Sequence, residues 1–328
     1  MAFEFSRVLE VDRAELDRYP DRTLFQTKPW LDFIAESQHA ETIIARLTES
    51  GRVVGYFTGA IIRKFGLKIL GSPFPGWTTS YMGFNLQPGV MRRDLFPALK
   101  RFVFHELGCV HLECMDRLVS IGEANQLGWK YRVFSNFEID LAPDEGTILA
   151  QMKGSCRTSI RKAEKSGVVV EVAADSSFAE EYYQQLTDVF AKQSLSPTYS
   201  IERVRLLIKH LVPTGNLLLV RARDSEGQCI ATGIYPAMNG TMYFWGGASW
   251  RKYQLLQPNE AVHWFAMRYW KERGMMICDM GGGGEYKRKY GGREISVPYL
   301  RTSRYPFLEA TRNLAMHLHG FWQRFAGR

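Results

Sequence analysis

The stretch DMGGGGEYKRKYGG, residues 279–292, decides the fold of the second half of the chain. Before it, residues 258–273 predict a helix, because Pro258 suits a first helical turn and Gly274 suits a C-terminus. The apolar residues 275–280 then predict a short buried strand. A helix, a strand and a glycine-rich turn are therefore expected in this order.

The glycine-rich turn is also the strongest candidate for a site. Gly282 and Gly283 let backbone N–H groups approach an anion, and Lys287 adds positive charge. Such a turn can bind phosphate or stabilise the oxyanion that forms when an acyl carbonyl is attacked. It lacks the GxxxxGK[ST] spacing of a P-loop. The alternative is a flexible glycine loop beside a solvated basic patch.

A second basic feature precedes it. Lys153, Arg157, Arg161 and Lys165 recur at every fourth position, so a helix would align them. Like charges at this spacing cost about 0.2–0.5 kcal/mol per pair, which an anionic ligand would offset. The alternative is a solvated helix face.

The rest of the chain alternates helices and strands, which predicts a mixed α/β fold. In the second half we expect helices at 144–165, 177–192 and 200–211, and strands at 168–172, 217–223, 229–237, 241–248 and 295–300. In the first half we expect helices at 29–37 and 88–107, strands at 41–47, 53–62, 109–114 and 137–141, and a loop at 71–83. Ala142 and Pro143 interrupt the pattern and Asp144 is suited to an N-cap, so we place a domain boundary at 142/143.

Composition limits the class of protein. The net charge of +8 favours anionic partners, and five scattered cysteines are typical of reduced thiols in the cytoplasm. The first residues do not resemble a signal peptide, and no apolar run reaches the ~20 residues of a spanning helix. The amphipathic stretch 307–328 predicts a C-terminal helix that either caps its domain or contacts the inner face of a membrane.

Two other groups of polar residues are weaker candidates. His105, Cys109, His111 and Cys114 are metal-ligating types, but their spacing fits no zinc motif, so no metal is predicted. Glu260 and His263 lie three apart on a predicted helix, where they form either an acid–base pair or a surface hydrogen bond.

Three motifs together resemble a known family. PNEAVHWFAMRYWKERGMMICDMGG (258–282) followed by YKRKYGG (286–292), CRTSIRKAEKSGVVVE (156–171) and FQTKPW (25–30) resemble the Fem-type aminoacyltransferases of peptidoglycan bridge synthesis. They also resemble related acetyltransferase-like domains of polysaccharide biosynthesis. The resemblance covers the second half well and the first half loosely.

The resemblance implies an α/β fold of two tandem GNAT-like domains, 1–142 and 143–328, with mixed central sheets flanked by helices. It implies transfer of an acyl or aminoacyl group from acyl-CoA or aminoacyl-tRNA, with no tightly bound cofactor. The acceptor would be an amine on an anionic nucleotide- or lipid-linked sugar, a cell-envelope or polysaccharide precursor.

The same resemblance assigns roles to individual residues. Lys287 would contact phosphate or the reacting carbonyl, and Arg157 and Arg161 would face the anionic part of the substrate. Apart from the resemblance, Glu285 and Asp279 are candidates for the base that removes the proton of the amine; the alternative is that the substrate itself does so. The expected substrate contacts are Lys153, Arg157, Arg161, Tyr253, Gly282, Gly283 and Tyr286.

One segment departs from the pattern of acetyl-CoA users. SWRKYQLLQPNEA (249–261) lacks the glycines whose N–H groups hold pyrophosphate before the long helix, which leaves the donor open. An acetyl-CoA-dependent N-acetyltransferase of a small molecule or sugar is therefore the first alternative. A non-catalytic protein that binds polyanions or a membrane surface is the second; DNA is not an expected partner.

Overall fold

The computed structural model describes residues 3–192 and 194–305. Among these, residues 3–134 and 296–305 form one compact unit, and 135–295 form a second. The domain boundary at 142/143 stays a prediction. The compact units of the structure divide at 134/135 instead, and residues 296–305 belong to the first unit. The helix predicted for 307–328 lies outside the described residues.

The first unit contains four α-helices and six strands among its described residues, with two further strands shared at its boundaries. The helices are α1 (Arg13–Asp17), α2 (Lys28–Gln38), α3 (Arg92–Arg101) and α4 (Ile121–Leu127). The strands are β1 (Phe3–Val8), β2 (Glu41–Glu49), β3 (Arg52–Lys64), β4 (Leu67–Ser72), β5 (Gly83–Leu86) and β6 (His111–Cys114), and the boundary strands are β7 (Lys130–Asp140) and β14 (Arg293–Ser303).

Its sheet is mixed and has the order β1-β2-β3-β4-β6-β14, with β5 also paired to β3. Only β4 and β6 are parallel neighbours among the registers of this unit. Apolar side chains of β3, β5 and α3, such as Phe57, Phe84 and Leu99, pack into one buried core. Burial of these chains is the main source of stability.

The second unit supplies the candidate site. Its helices are α5 (Glu145–Gln151), α6 (Gly154–Lys165), α7 (Phe178–Ala191), α8 (Ile201–Leu211) and α9 (Pro258–Lys271). Its strands are β8 (Val169–Val172), β9 (Leu217–Arg223), β10 (Cys229–Met238), β11 (Thr241–Tyr243), β12 (Gly246–Ser249) and β13 (Ile277–Gly282), together with the end of β7.

The sheet of this unit runs in the order β7-β13-β11-β10-β9-β8, and β12 pairs with β10. Strands β11 and β13 are parallel and the other pairs are antiparallel. Helices α6 and α9 contribute Ile160, Val262 and Trp264 to the core over this sheet. The predicted mixed α/β fold, with sheets flanked by helices, is confirmed.

The strand predicted at 241–248 is wrong in one respect, because it is two strands. If the pairing of Met242 with Ala237 continued, Gly246 would lie opposite Gly233, whereas it lies opposite Ile234. One extra residue is therefore inserted around Phe244, which makes a β-bulge. A bulge changes the direction of nearby side chains and can end the pairing of a strand. Here, among the described residues, β11 pairs with β13 but β12 does not.

Two predicted helices also differ from the prediction. Asp144 caps a helix as predicted, accepting a bond from the Thr147 N–H, but this helix ends at Gln151. A second helix begins at Gly154, because the N–H of Lys153 donates to the Lys289 carbonyl instead of continuing α5. The helix predicted at 88–107 is α helical only at Arg92–Arg101 and continues as a π-helical turn.

None of the helices within the described residues is long and apolar enough to cross a membrane.

Candidate active site

The glycine-rich turn after β13 brings six of the predicted site residues together. Gly281 and Gly284 have φ angles of +69° and +84°, which favour glycine because a side chain is strained there. Asp279 is buried within β13, and its Oδ1 accepts a 2.7 Å bond from the Gly281 N–H. The carboxylate therefore fixes the first bend of the turn.

Lys287 is buried, with 6% of its surface exposed. It lies on a 3-10 turn, Glu285–Tyr290, and its Nζ donates to the carbonyls of Met280 at 2.5 Å and Gly282 at 2.9 Å. These carbonyls flank the position where the pairing of β13 with β7 shifts register. The ammonium thus satisfies backbone acceptors at a break in the sheet, and one of its three hydrogens is left for another acceptor.

Charges and burial act against each other on this ammonium. Burial lowers the pKa of Lys287, and the negative charge of Asp279 opposes that shift. The ring of Phe244 lies 5.6 Å from Nζ, so its π face also favours the cation.

Phe244 occupies the bulge between β11 and β12. Its N–H donates to the Asp279 carbonyl at 2.8 Å, which is the last link between β11 and β13. The next amide, that of Trp245, donates to Ile234 on β10 instead. The ladder between the parallel strands therefore ends beside the buried ammonium.

Other predicted members of the site lie on the surface of the same turn. Gly282, Gly283, Glu285 and Tyr286 are all exposed. The Glu285 carboxylate accepts a 2.7 Å bond from Arg288, and 83% of the Glu285 side chain is exposed. A bound molecule at the turn would meet the Glu285 carboxylate, whereas Asp279 is enclosed.

Glu260 and His263 do not form the acid–base pair that their spacing allowed. The alternative, a hydrogen bond on the surface, is also wrong, because both side chains are buried. Glu260 accepts a 2.5 Å bond from Lys289. His263 Nδ1 lies 2.7 Å from the Tyr235 hydroxyl. Both residues lie on α9 and face the turn from inside the unit.

The environment of His263 favours its neutral form. Burial, helped by the charges of Lys289 and Lys287, lowers the pKa of His263 to about 3. The ring packs edge-on to those of Phe244 and Tyr290. The imidazole therefore stays uncharged at neutral pH.

The predicted stripe of cations lies on α6, next to the turn. Its apolar residues Cys156 and Ile160 are buried, whereas Lys153, Arg161 and Lys165 are exposed. The bond from the Lys153 N–H to the Lys289 carbonyl joins the start of α6 to the turn. Lys153, at the start of α6, therefore lies beside the turn.

Arg157 differs from the other members of this stripe. It is half-buried, and its Nη1 donates to the carbonyls of Ala150 and Met152 at the end of α5. Arginine commonly satisfies the last carbonyls of a helix in this way. The guanidinium therefore holds α5 against α6, and only its other N–H groups are left for a substrate.

The segment before α9 has a residue in the left-handed conformation although it contains no glycine. Gln257 is left-handed, with φ 58° and ψ 40°, directly before Pro258. Its Oε1 accepts a 3.0 Å bond from Ser159, which ties the segment to α6. The residue directly before α9 thus has the left-handed conformation that glycine favours, although it is a glutamine.

Tyr253 lies in this segment and not on the turn. Its hydroxyl donates to Gln228, and Lys252 lies over its ring. Beside it is an open cavity of about 640 Å³, lined by Asp188, Gln228, Trp250, Arg251 and Lys252. A second cavity of about 440 Å³ adjoins the other end of the turn and includes Gln151, Gly291 and Arg293 in its lining.

The remaining polar candidates give no sign of metal or thiol chemistry. Among the described residues no group of three His, Cys, Asp or Glu side chains could hold a metal ion. Burial raises the pKa of the Cys156 thiol to about 11, so it is protonated at neutral pH.

Sequence reasoning missed Phe244 and the Tyr235–His263 pair. The signal for Phe244 was weak, because an aromatic residue within an alternating strand gives no indication of a bulge. The glycine pair 246–247 was the one hint, since glycine in a strand often marks irregular pairing.

One family model matches most of the second unit. Residues 150–289 match the model described as an acetyltransferase (GNAT) domain. This range contains α6, the bulge, α9 and the turn through Lys289. No curated protein sequence matches the chain.

Solved structures with a similar fold span nearly the whole chain. FemX superposes with a TM-score of 0.70 at 13% identity, covering 92% of this chain and 97% of its own. A tandem GNAT protein from the clavulanic acid biosynthesis pathway gives 0.58 at 12% identity, with coverages of 93% and 99%. L-PGS from Bacillus licheniformis gives 0.53 at 13% identity, with coverages of 89% and 96%. The resemblance to Fem-type and tandem GNAT proteins is confirmed at the level of the fold.

Proposed function

We propose that the protein is an acyltransferase that joins an acyl or aminoacyl group to an amine, and that the reaction takes place at the turn after β13. The observation that carries this proposal is the buried Lys287 ammonium at the end of the β11–β13 ladder. It combines a fixed positive charge with exposed glycine N–H groups. A GNAT-domain match over the same residues supports the proposal.

The chemistry requires little covalent participation by the protein. The amine attacks the acyl carbonyl, a C–N bond forms, and the bond to the thiol or hydroxyl of the donor breaks. Lys287 holds the carbonyls of Met280 and Gly282, and so keeps the adjacent glycine N–H groups in position. These N–H groups and the ammonium would stabilise the tetrahedral oxyanion.

The amine must lose a proton during this step. Glu285 is the candidate base, because a substrate at the turn can reach its exposed carboxylate and displace Arg288. We assign Asp279 a positioning role through its bond to the Gly281 N–H. Tyr286 is exposed on the same turn and would pack against the substrate.

We further propose an anionic acceptor on a cell-envelope or polysaccharide precursor in the cytoplasm. The exposed cations Lys153 and Arg161, next to the turn, would bind the phosphates of a nucleotide- or lipid-linked sugar. The free N–H groups of Arg157 would contribute from the same helix.

The donor is either aminoacyl-tRNA or acyl-CoA. Acyl-CoA is kept as a candidate, because Gln257 directly before α9 adopts the left-handed conformation that glycine favours. Tyr253 and its neighbours Arg251 and Lys252 lie beside this N-terminus. An acetyl-CoA-dependent N-acetyltransferase is therefore the second candidate function.

Two measurements test these proposals. Calorimetric titration with acetyl-CoA and with aminoacyl-tRNA identifies the donor, and micromolar binding of acetyl-CoA would favour the second candidate. Mass spectrometry of envelope precursors from cells with and without the protein should show one defined acyl mass difference. Identical precursor masses, together with failure to bind either donor, would overturn the proposal.

A further inference from the structure

The turn between β3 and β4 is locally unfavourable in three ways. Phe65 is fully exposed, at 103% of its reference surface, and its φ is +51°. A left-handed conformation costs a non-glycine residue on the order of 1–2 kcal/mol, and an exposed ring gains nothing from folding. Asn-Gly is the favoured pair for such a turn, whereas the chain has Phe65-Gly66.

Charge at the base of the turn adds the third cost. Arg63 lies directly opposite Lys68 in the antiparallel register, and like charges in this arrangement repel. Residues 61–72 contain no acidic residue. Within residues 3–192 and 194–305, no ion pair includes Arg63 or Lys64, and Lys68 donates instead to the Leu107 carbonyl.

The turn also projects from its unit. The pairing of β3 with β2 ends where Ile61 lies opposite Glu41, so the residues up to Lys64 extend roughly 10 Å further with β4 as their only partner in this sheet. Leu67, the cross-strand partner of Lys64, is 41% exposed beside Phe65. The apolar tip residues Phe65 and Leu67 thus lie beyond the end of the β2–β3 pairing, whereas Lys68 at the base is bonded to the Val110 N–H and the Leu107 carbonyl.

We propose that this hairpin tip, residues 63–68, docks on a bilayer that contains anionic lipid. Phe65 and Leu67 would enter the region between headgroups and acyl chains, and the exposed Arg63 and Lys64 would meet the lipid phosphates. Apolar side chains flanked by lysine and arginine suit this interface. The negative surface offsets the repulsion between Arg63 and Lys68, and the acyl boundary covers the exposed ring.

A bilayer explains the tip better than a nucleic acid does. A polyanion would need only the cations, and it would leave the exposed Leu67 without a role. The proposal uses none of the residues 307–328, and it is independent of the proposed acyl transfer.

The test is co-sedimentation of the full chain with vesicles of phosphatidylcholine, with and without one quarter phosphatidylglycerol. We expect binding to the anionic vesicles that falls at 0.5 M salt. Phe65→Asn should weaken it about tenfold or more, because the apolar ring is lost. Arg63→Gln with Lys64→Gln should weaken it about fivefold per charge.

The Phe65→Asn variant separates docking from folding, because Asn-Gly suits the turn and should keep or raise the melting temperature. Leu9→Asn is the matched control, since Leu9 is 87% exposed in the same unit but lies at the end of β1. Val8 pairs with Ile44, and Ile44 with Thr58, which is seven residues from Phe65, or roughly 23 Å along the strand. We expect Leu9→Asn to bind like the wild type.

Three results would each overturn the proposal. The first is no binding of the wild type to anionic vesicles. The second is equal binding by the wild type and a folded Phe65→Asn variant. The third is tRNA binding that depends on Arg63 and Lys64 while vesicle binding does not, which would assign the tip to nucleic acid.

Discussion

Two basic segments of the second unit, 153–165 and 285–289, have similar compositions but opposite environments. On α6, Lys153 and Arg161 are exposed and available to a partner. On the turn, Lys287 and Lys289 are occupied by the chain itself, one by backbone carbonyls and the other by Glu260. The same residue types thus serve structure in one segment and remain free for recognition in the other.

The difference arises from the backbone around each segment. A regular helix such as α6 satisfies its own interior carbonyls, so its long side chains need no internal partner. The bulge and the register shift at β13 leave carbonyls that the sheet does not satisfy, and a buried carbonyl without a partner is costly. Lys287 fills that need, and this places a cation next to the proposed reaction.

Replacing Lys287 by Met should give the largest effect. Loss of the ammonium removes the proposed oxyanion charge, so product formation in cells, measured by mass spectrometry, should fall by about 10²–10³-fold. The carbonyls of Met280 and Gly282 lose their donor, so the free energy of unfolding in urea should fall by about 1–3 kcal/mol. Arg288→Met is the control on the same turn, because Arg288 bonds the exposed carboxylates of Glu285 and Glu294, and Met keeps an apolar side chain near the Phe137 ring. The stability of this variant should differ from that of the wild type by less than about 0.5 kcal/mol.

A folded Lys287→Met variant with full product formation would show that the ammonium is only structural. A variant with unchanged stability but no product would show the reverse, that its bonds to the carbonyls contribute little to folding.

The buried His263 gives a second, smaller test of the charged turn. Because its folded pKa is about 3, the unfolded chain takes up a proton below pH ~6.5 while the folded chain does not. The stabilisation is therefore complete above pH 6.5 and is lost as the pH falls toward 3. At pH 5 this residue alone should cost about 2 kcal/mol of unfolding free energy.

Urea unfolding at pH 7.5 and pH 5 measures this loss. His263→Gln can still accept the Tyr235 hydroxyl, and the difference between the two pH values should be about 2 kcal/mol smaller than in the wild type. His105→Gln is the control, because His105 is exposed, and it should keep the wild-type difference. An unchanged difference in His263→Gln would mean that the imidazole is not held neutral.

These tests concern features that the sequence predicted unequally well. Three predicted features depend on local signals, namely proline, glycine and a side-chain oxygen. The structure has each of them: the helix from Pro258, the strand that contains Asp279 and the cap at Asp144. The grouping of Asp279, Glu285 and Lys287 on one turn follows from their closeness in sequence. Such contacts between near neighbours can be predicted without the fold.

What sequence alone did not predict depends on contacts between distant residues. The partners of Lys289 and His263 are Glu260 and Tyr235, each at least 28 residues away. The break between β11 and β12 occurs where the Phe244 N–H donates to Asp279 on β13 and the next N–H, that of Trp245, donates to Ile234 on β10. The periodicity of the sequence does not indicate to which of two neighbouring strands a backbone N–H will donate its hydrogen bond.

Removing one cation of the exposed stripe on α6 should have the smallest effect on stability. The same change tests whether the stripe binds an anionic substrate. Arg161→Gln relieves repulsion with Arg157 and Lys165, so the unfolding free energy should rise by about 0.2–0.5 kcal/mol per relieved pair. If the stripe binds the phosphates of the proposed acceptor, affinity for the acceptor identified by mass spectrometry should fall, and the slope of log affinity against log salt should decrease by about 1. Lys192→Gln, at the end of α7, removes an exposed cation elsewhere in the unit and should change neither quantity. Equal salt slopes for Arg161→Gln and the wild type would mean that the cations of α6 are merely solvated, and the contrast with the turn would then be one of burial alone.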